Sequence, residues 1–281
     1  MLAVLSRVRG LDPRWYQIAC LSSLLVYGFF GLGFELTVLQ TAVTLATVVA
    51  VQFICTRAWR LPVFDPKSAL ISGLSLCLLL RTNHLWLVVL AATIAIASKF
   101  VLRIDGKHIF NPTNGALVAL LAVGAPIWVS PGQWGNVAFF AFLMTCLGGL
   151  VVMRSARADV AVAFIAFWCL GLFGRSAWLG EPMTIPFHRL ESGALLLFTF
   201  FMISDPKTTP DSRAGRIFFA FLVAFGAWWI QFRWFRTNGV LWSLAACSLL
   251  VPLIDRVVKG VRYDWRKPSS GARDVDLAPA E

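Results

Sequence analysis

Two polar tripeptides carry most of the chemistry that this chain offers within apolar surroundings: Thr113-Asn114-Gly115 and Thr237-Asn238-Gly239. Hydroxyl and carboxamide groups supply donors and acceptors without charge, which suits recognition of a ligand better than acid–base catalysis. Asn111-Pro112 precedes the first tripeptide, and this pair starts helices well: Asn caps, and Pro suits the first helical position. A helix start at membrane depth presents free amides and partial positive charge to an anionic or carbonyl-bearing ligand. Each tripeptide heads an eleven-residue stretch, and the two stretches are identical at six positions at an offset of 124. The same offset carries Ser68 onto Ser192, each 45 residues before its tripeptide.

The chain is therefore read as two copies of one membrane unit, a pattern of folds that hold a ligand, ion or cofactor at mid-bilayer. Small polar residues that let helices pack closely explain either tripeptide alone. The symmetric pair instead predicts one shared site on a pseudo-two-fold axis, with Ser68, Asn111, Thr113, Asn114, Ser192, Thr237 and Asn238 as its candidates.

The elements that must position these residues are helices in a bilayer. Apolar residues make up 58% of the chain and charged residues 14%, far from the roughly 45–50% and 25% of soluble domains. The apolar runs are continuous, which excludes the short alternating strands of a membrane barrel. Ten segments follow, at 15–32, 36–56, 66–80, 84–102, 112–129, 134–153, 158–174, 190–204, 214–231 and 237–254. Five per copy is an odd number, so successive copies enter from opposite sides. The expected architecture is an all-α polytopic membrane protein with a 5+5 inverted repeat. Its parts are a basic N-terminus at 1–14, a first repeat at 15–133, a second at 134–260 and a disordered tail at 261–281. Residues 66–80 and 192–204 reach only about 22 and 20 Å at 1.5 Å per residue, short of a core about 30 Å thick. They read as half-helices whose ends are buried in protein or line a cavity.

Lys and Arg orient the segments. With the N-terminus inside, only Arg81, Arg175, Arg189, Arg233 and Arg236 of the 25 basic residues fall outside. Both termini are then cytoplasmic and the +11 net charge is a topology signal, not a nucleic-acid footprint. The basic start precedes a retained helix, with no cleavage site after Leu32. Tryptophans at run ends, including Trp15, Trp59, Trp86, Trp128, Trp134, Trp178, Trp234 and Trp265, read as interfacial belts.

Residues 205–216 alternate charge with turn formers on the cytoplasmic side. They read either as a solvated loop or as a rigid one presenting Asp205, Thr208, Arg213 and Arg216 to a cofactor or partner. Lys99 sits where its stem can snorkel to the inner surface or line a cavity. His84, His108 and His188 lie in connections. The six cysteines fall in or beside apolar runs and read as small core residues. No catalytic constellation, metal-ligand spacing or phosphate loop is found, and no carboxylate pair sits at membrane depth to suggest a proton relay.

The stretch from Lys99 to Phe110-Asn111-Pro112 resembles the Phe-Asn-Pro region of the NqrB and RnfD membrane subunits. Ser192-Gly193-Ala194-Leu195 through Ile203-Ser204-Asp205-Pro206, with Gly215-Arg216-Ile217-Phe218 and Val251-Pro252-Leu253-Ile254-Asp255, is similar to the C-terminal half of RnfD. The resemblance covers roughly residues 65–260, and residues 203–216 resemble the short RnfD-like proteins of the UnbU type, linked by name to enediyne biosynthesis. It implies a urea-transporter/NqrB-like ten-helix fold in the bacterial inner membrane and a place in a flavin-dependent, ion-translocating redox complex. The family esterifies FMN to the Thr of an Asp-x-Ser-Gly-Ala-Thr-type motif in the outer loop between segments 5 and 6. The corresponding loop here, 126–135, has no threonine, and Ser192-Gly193-Ala194-Leu195 has Leu in its place. No covalent FMN is expected; a noncovalent flavin, riboflavin or FMN, is left open by the resemblance, and no metal is expected.

Three readings follow. The first is an RnfD-like electron-transport and ion-translocating subunit, embedded in the lipid bilayer beside a redox or peripheral partner subunit and not an enzyme by itself. The second is a cofactor-free channel or transporter for a small solute, tied to natural-product biosynthesis. The third is an anchor for peripheral enzymes. Fold alone does not choose between them.

Overall fold

The computed structural model describes residues 12–31, 33–130 and 157–263. The expected segment 134–153, most of the basic start, nearly all of the tail, Cys146, Trp134 and Trp265 lie outside the described residues. A helix occupies each of the other expected segments: α1 Pro13–Gly31, α2 Val38–Ala58, α3 Lys67–Leu79, α4 Leu85–Val101, α5 Pro112–Ala122, α6 Ala158–Leu179, α7 Thr184–Leu190, α8 Gly193–Leu197, α9 Arg213–Phe232, α10 Gly239–Ser248 and α11 Val251–Val257. Residues Phe198–Met202 continue α8 as one π-helical turn. Two details depart from expectation. α5 stops at Ala122, where Gly124 takes a left-handed conformation, and the last segment breaks into α10 and α11 with a 50° bend.

Helices α2, α6 and α9 are long and apolar enough to cross a membrane, as are α10 and α11 taken together. The chain is thus a multi-pass membrane protein. In the first half α2 packs on α4 and α4 on α5; in the second α6 packs on α9 and α9 on α10. Shifting the first set by the 124-residue offset lands on the second. The halves meet where α5 packs on α10. Close approaches need small residues: a Cβ on Gly226 would lie 2.5 Å from Ser243 Oγ, and one on Gly73 would lie 2.8 Å from Val48.

Helix α3 has 13 residues, so it rises only about 20 Å, and its polar backbone ends must find partners inside the protein. At its C-terminal end Leu80–Arg81 (β1) pairs antiparallel with Trp128–Val129 (β4). There Ser130 N–H donates to the Leu79 carbonyl at 2.8 Å, and the buried Arg81 Nη1 donates to the Cys77 and Leu80 carbonyls, both at 2.9 Å. At its start Lys99 Nζ donates to the Ser68 carbonyl and hydroxyl at 2.8 and 2.9 Å. Lys99 is buried, so it does not snorkel to the surface as its position suggested. Its ammonium serves the first turn of α3 instead. Asn111 caps α5, accepting from Asn114 N–H at 3.2 Å.

Between α4 and α5 the strands β2 (Arg103–Ile104) and β3 (Lys107–His108) form a hairpin. Asp105 and Gly106 at its tip have φ of 49° and 74°, the left-handed pair that a tight two-residue hairpin requires. The hairpin delivers Lys107 to the second half of the chain. Its Nζ reaches Asp211 Oδ1 at 2.8 Å, Asp255 Oδ2 at 2.7 Å and the Thr209 carbonyl at 2.9 Å, which uses all three donors. Asp255 also accepts from Asp211 N–H at 2.8 Å. Arg216 at the start of α9 grips Asp159 at the start of α6 through Nε at 2.8 and 2.9 Å. Residues 205–216 are therefore a pinned loop, not a solvated one.

Lys107→Met should destabilise the detergent-solubilised protein by about 3 kcal/mol, because two largely buried carboxylates lose their counterion. Thermal unfolding beside the exposed Arg103→Ala, expected to stay within about 0.5 kcal/mol of wild type, measures this. Equal melting of the two variants would refute the clamp.

Candidate functional site

The candidate residues divide between two cavities. The first, about 220 Å³, is lined by Ser68, Ser72, Asn111, Thr113, Asp205 and Lys207, with Gln17 and His108 beside them. The first turns of α3 and α5 bring Ser68 and Thr113 together, and Thr113 Oγ1 donates to the Ser72 carbonyl at 3.3 Å. Asn111 Nδ2 donates to Asp205 Oδ2 at 3.3 Å, and Lys207 N–H donates to Asp205 Oδ1 at 3.0 Å. Asp205 is deep in the protein yet keeps open surface because it faces the cavity. Burial pushes its carboxyl up, opposed by the Lys207 amide, the Lys99 charge and the Asn111 amide. Thr208 is buried, and its hydroxyl is used on the Asp205 carbonyl at 3.3 Å. It shapes the loop and is not among the lining residues.

Asn114 is wholly buried, and among the described residues neither its Oδ1 nor its Nδ2 has a hydrogen-bond partner. An orphaned buried amide costs roughly 1–3 kcal/mol, so its persistence calls for a partner that the described residues do not supply. It follows Thr113 directly on α5.

The second cavity, about 490 Å³, is lined by Ser192, Thr237 and Asn238 with Trp168, Arg189 and Gln231. Ser192 caps α8 by accepting from Leu195 N–H at 3.4 Å. Trp168 is buried, and among the described residues its indole N–H has no partner. The two tripeptides differ locally. Thr113 and Asn114 lie inside the first turn of α5, whereas Asn238 is itself the left-handed cap of α10, with φ of 59°, and Thr237 is exposed. The single shared site expected from symmetry is thus replaced by two cavities, one at each tripeptide.

Pairing by offset found the serines and the tripeptides. It missed Gln17, Trp168, Gln231 and His108, because the residues at the offset from them, Ala141, Thr44, Lys107 and Phe232, are of other types. The only signal for His108 was its place three residues before Asn111. Of the loop 126–135, residues 126–130 are described; Ile127 and Ser130 are buried, and Ser130 N–H donates to the Leu79 carbonyl at the C-terminal end of α3.

Residues 127–264 match the family described as "NQR2, RnfD, RnfE family". Three curated relatives are each named as the RnfD subunit of an ion-translocating oxidoreductase complex. That of Erwinia tasmaniensis is 32% identical over 139 residues, 48% of this chain and 37% of the relative. That of Cronobacter sakazakii is 30% identical over 165 residues, 57% and 45%. That of Escherichia coli is 31% identical over 139 residues, 48% and 37%. The matched region spans less than half the length of each relative.

His108 gives the first cavity a pH-sensitive neighbour. Burial, then the charges of Lys99, Arg103 and Lys207, push its imidazole down to about 3. The folded protein therefore keeps it neutral, while the unfolded chain protonates it below about pH 6.5. Stability is present above the unfolded value and falls as pH drops from there toward 3. At pH 5 the loss is about 2 kcal/mol. His108→Gln should flatten this acid-side decline in melting temperature, and an unchanged decline would contradict the assignment.

Proposed function

We propose that this chain, which resembles the NqrB/RnfD superfamily through residues 127–264, is an integral membrane subunit of an electron-transport, ion-translocating system. It works beside partner subunits, in a 5+5 inverted-repeat fold of the bacterial inner membrane with both termini cytoplasmic. The relatives' name supports the complex, and the matching helix pairings of the two halves support the repeat. Within the superfamily the reading keeps the chain beside the short RnfD-like proteins of the UnbU type and without covalent FMN.

The observation that carries a cofactor-bearing reading is the carboxamide of Asn114, unpaired among the described residues and one position on from Thr113 in the cavity wall, where widening of the cavity would bring it into the site. A free donor next to a free acceptor is complementary to the alternating acceptor–donor–acceptor edge of a flavin's pyrimidine ring. The group that fits is thus a noncovalent flavin, which supplies one- and two-electron redox chemistry when bound. Asn114 and Asn111 would hold its polar edge, and Ser68 and Thr113 would add hydroxyl contacts. Asp205 and Lys207 bring opposite charges to this wall. At about 220 Å³ the cavity is under the 300–1,000 Å³ of organic ligand sites, so it must widen by roughly 80 Å³ or more on binding.

A second reading, a channel or carrier for a small solute, is favoured by the two polar cavities at matching helix heads. It predicts flux of that solute into liposomes holding the protein alone.

Protein purified in mild detergent should show flavin absorption that moves to the supernatant on acid precipitation. Asn114→Leu should cut the bound flavin at least tenfold. It should also raise the melting temperature of the cofactor-free protein, because an orphaned amide is replaced by a group that needs no partner. Flavin retained in the pellet would overturn noncovalent binding. Absence of flavin from both fractions, with solute flux in liposomes, would transfer the reading to transport.

A further inference from the structure

A long groove lies between α6 and α9, adjoining the second cavity at Arg189 and Phe232, and holds about 620 Å³. Its walls are aromatic and aliphatic, with Phe167, Leu170 and Trp178 from α6 and Phe221 and Phe225 from α9. Its floor is made by small residues. A Cβ on Gly174 would meet nothing within 4 Å, so no side chain of the described residues fills the slot there. From Phe167 to Trp178 the groove follows eleven helical steps, about 17 Å. That is close to one leaflet of a hydrocarbon core about 30 Å thick. Both walls belong to helices able to cross a membrane.

One end of the groove is cationic. Arg175 and Arg233 line it, and Arg175 and Arg189 both lie over the Phe232 ring, 4.6 and 4.9 Å from its centroid. Arg175 is paired with Glu181 at 2.7 Å. Among the described residues Arg189 and Arg233 have no carboxylate partner, so three guanidiniums face one carboxylate. Trp178, 88% exposed, stands at the same end, where an indole settles at headgroup level. Trp228 Nε1 already donates to the Gly171 carbonyl at 3.1 Å, so the apolar length of the groove has no free donor for a ring carbonyl. The donors gathered at its mouth suit a phosphate.

We propose that this groove is a binding site for an anionic phospholipid, with one acyl chain between α6 and α9 and its phosphate on Arg233 and Arg175. The lipid would fill the floor left open at Gly174 and neutralise the excess charge at that end.

The test exposes purified protein to an equimolar mixture of phosphatidylglycerol and phosphatidylcholine with identical chains. Lipid retained per protein is then counted by native mass spectrometry. Wild type should keep phosphatidylglycerol about tenfold in preference. Gly174→Leu, which fills the slot without meeting another side chain, should lose both lipids at least tenfold. Arg233→Gln should keep a lipid but lose most of the preference, and thermal unfolding of each variant confirms that it is folded. Equal retention of the two lipids by wild type, or indifference to Gly174→Leu, would overturn the site. So would displacement of phosphatidylglycerol by a hydrophobic quinone that binds Arg233→Gln as tightly as wild type, because the groove would then recognise a neutral ring.

Discussion

A helix too short to cross a bilayer leaves its backbone ends at a depth where water cannot satisfy them, and each bare group there costs several kcal/mol. Much of this structure answers that constraint at α3, α5 and α8. The start of α3 is held by Lys99 through Ser68. Its end is closed by the β1–β4 pair and by the Arg81 guanidinium. Asn111 and Ser192 cap α5 and α8 with their own side chains. Two buried cations thus find use as backbone partners in an apolar setting. Removing either leaves carbonyls unsatisfied as well as changing charge.

The same constraint generates the cavities. Where a short helix stops, the neighbouring long helices continue, and the space beyond its end is lined by the polar groups that close it. Ser68, Asn111 and Thr113 face the first cavity for this reason, and Ser192, Thr237 and Asn238 the second. The first is closed by Asp205 and the pinned loop after the π-helical turn; the second is larger and has arginine and glutamine in its lining. The two tripeptides therefore differ in what they present. The first tripeptide is wholly inside a helix with one amide left unpaired, and the second is partly exposed at a helix start.

Charge does its structural work at one end of the bundle. Lys107 joins the hairpin of the first half to Asp211 and Asp255 of the second, and Arg216 joins α9 to α6. These contacts hold residues 205–216 against the cavity, so Asp205 is positioned by a network rather than by its own short turn. Gly260 belongs to the same arrangement, since a Cβ there would collide with the backbone of Asp211 and Ser212.

The helical segments and the family resemblance were legible in the sequence alone, because a bilayer demands long apolar runs and repeats preserve spacing. The serines and tripeptides were legible for the second reason: equal offsets carried Ser68 to Ser192 and Thr113 to Thr237. Segment interiors were not legible. The stop of α5 at Ala122 and the break between α10 and α11 occur within runs that stay apolar, where hydropathy has no contrast to report. Tertiary structure also decided that Lys99 is buried on Ser68 and that His108 and Gln17 reach the first cavity. It decided that the two tripeptides open on different cavities instead of one. Those outcomes depend on which helix ends meet across the bundle, a relation between residues distant in the chain that no local spacing encodes.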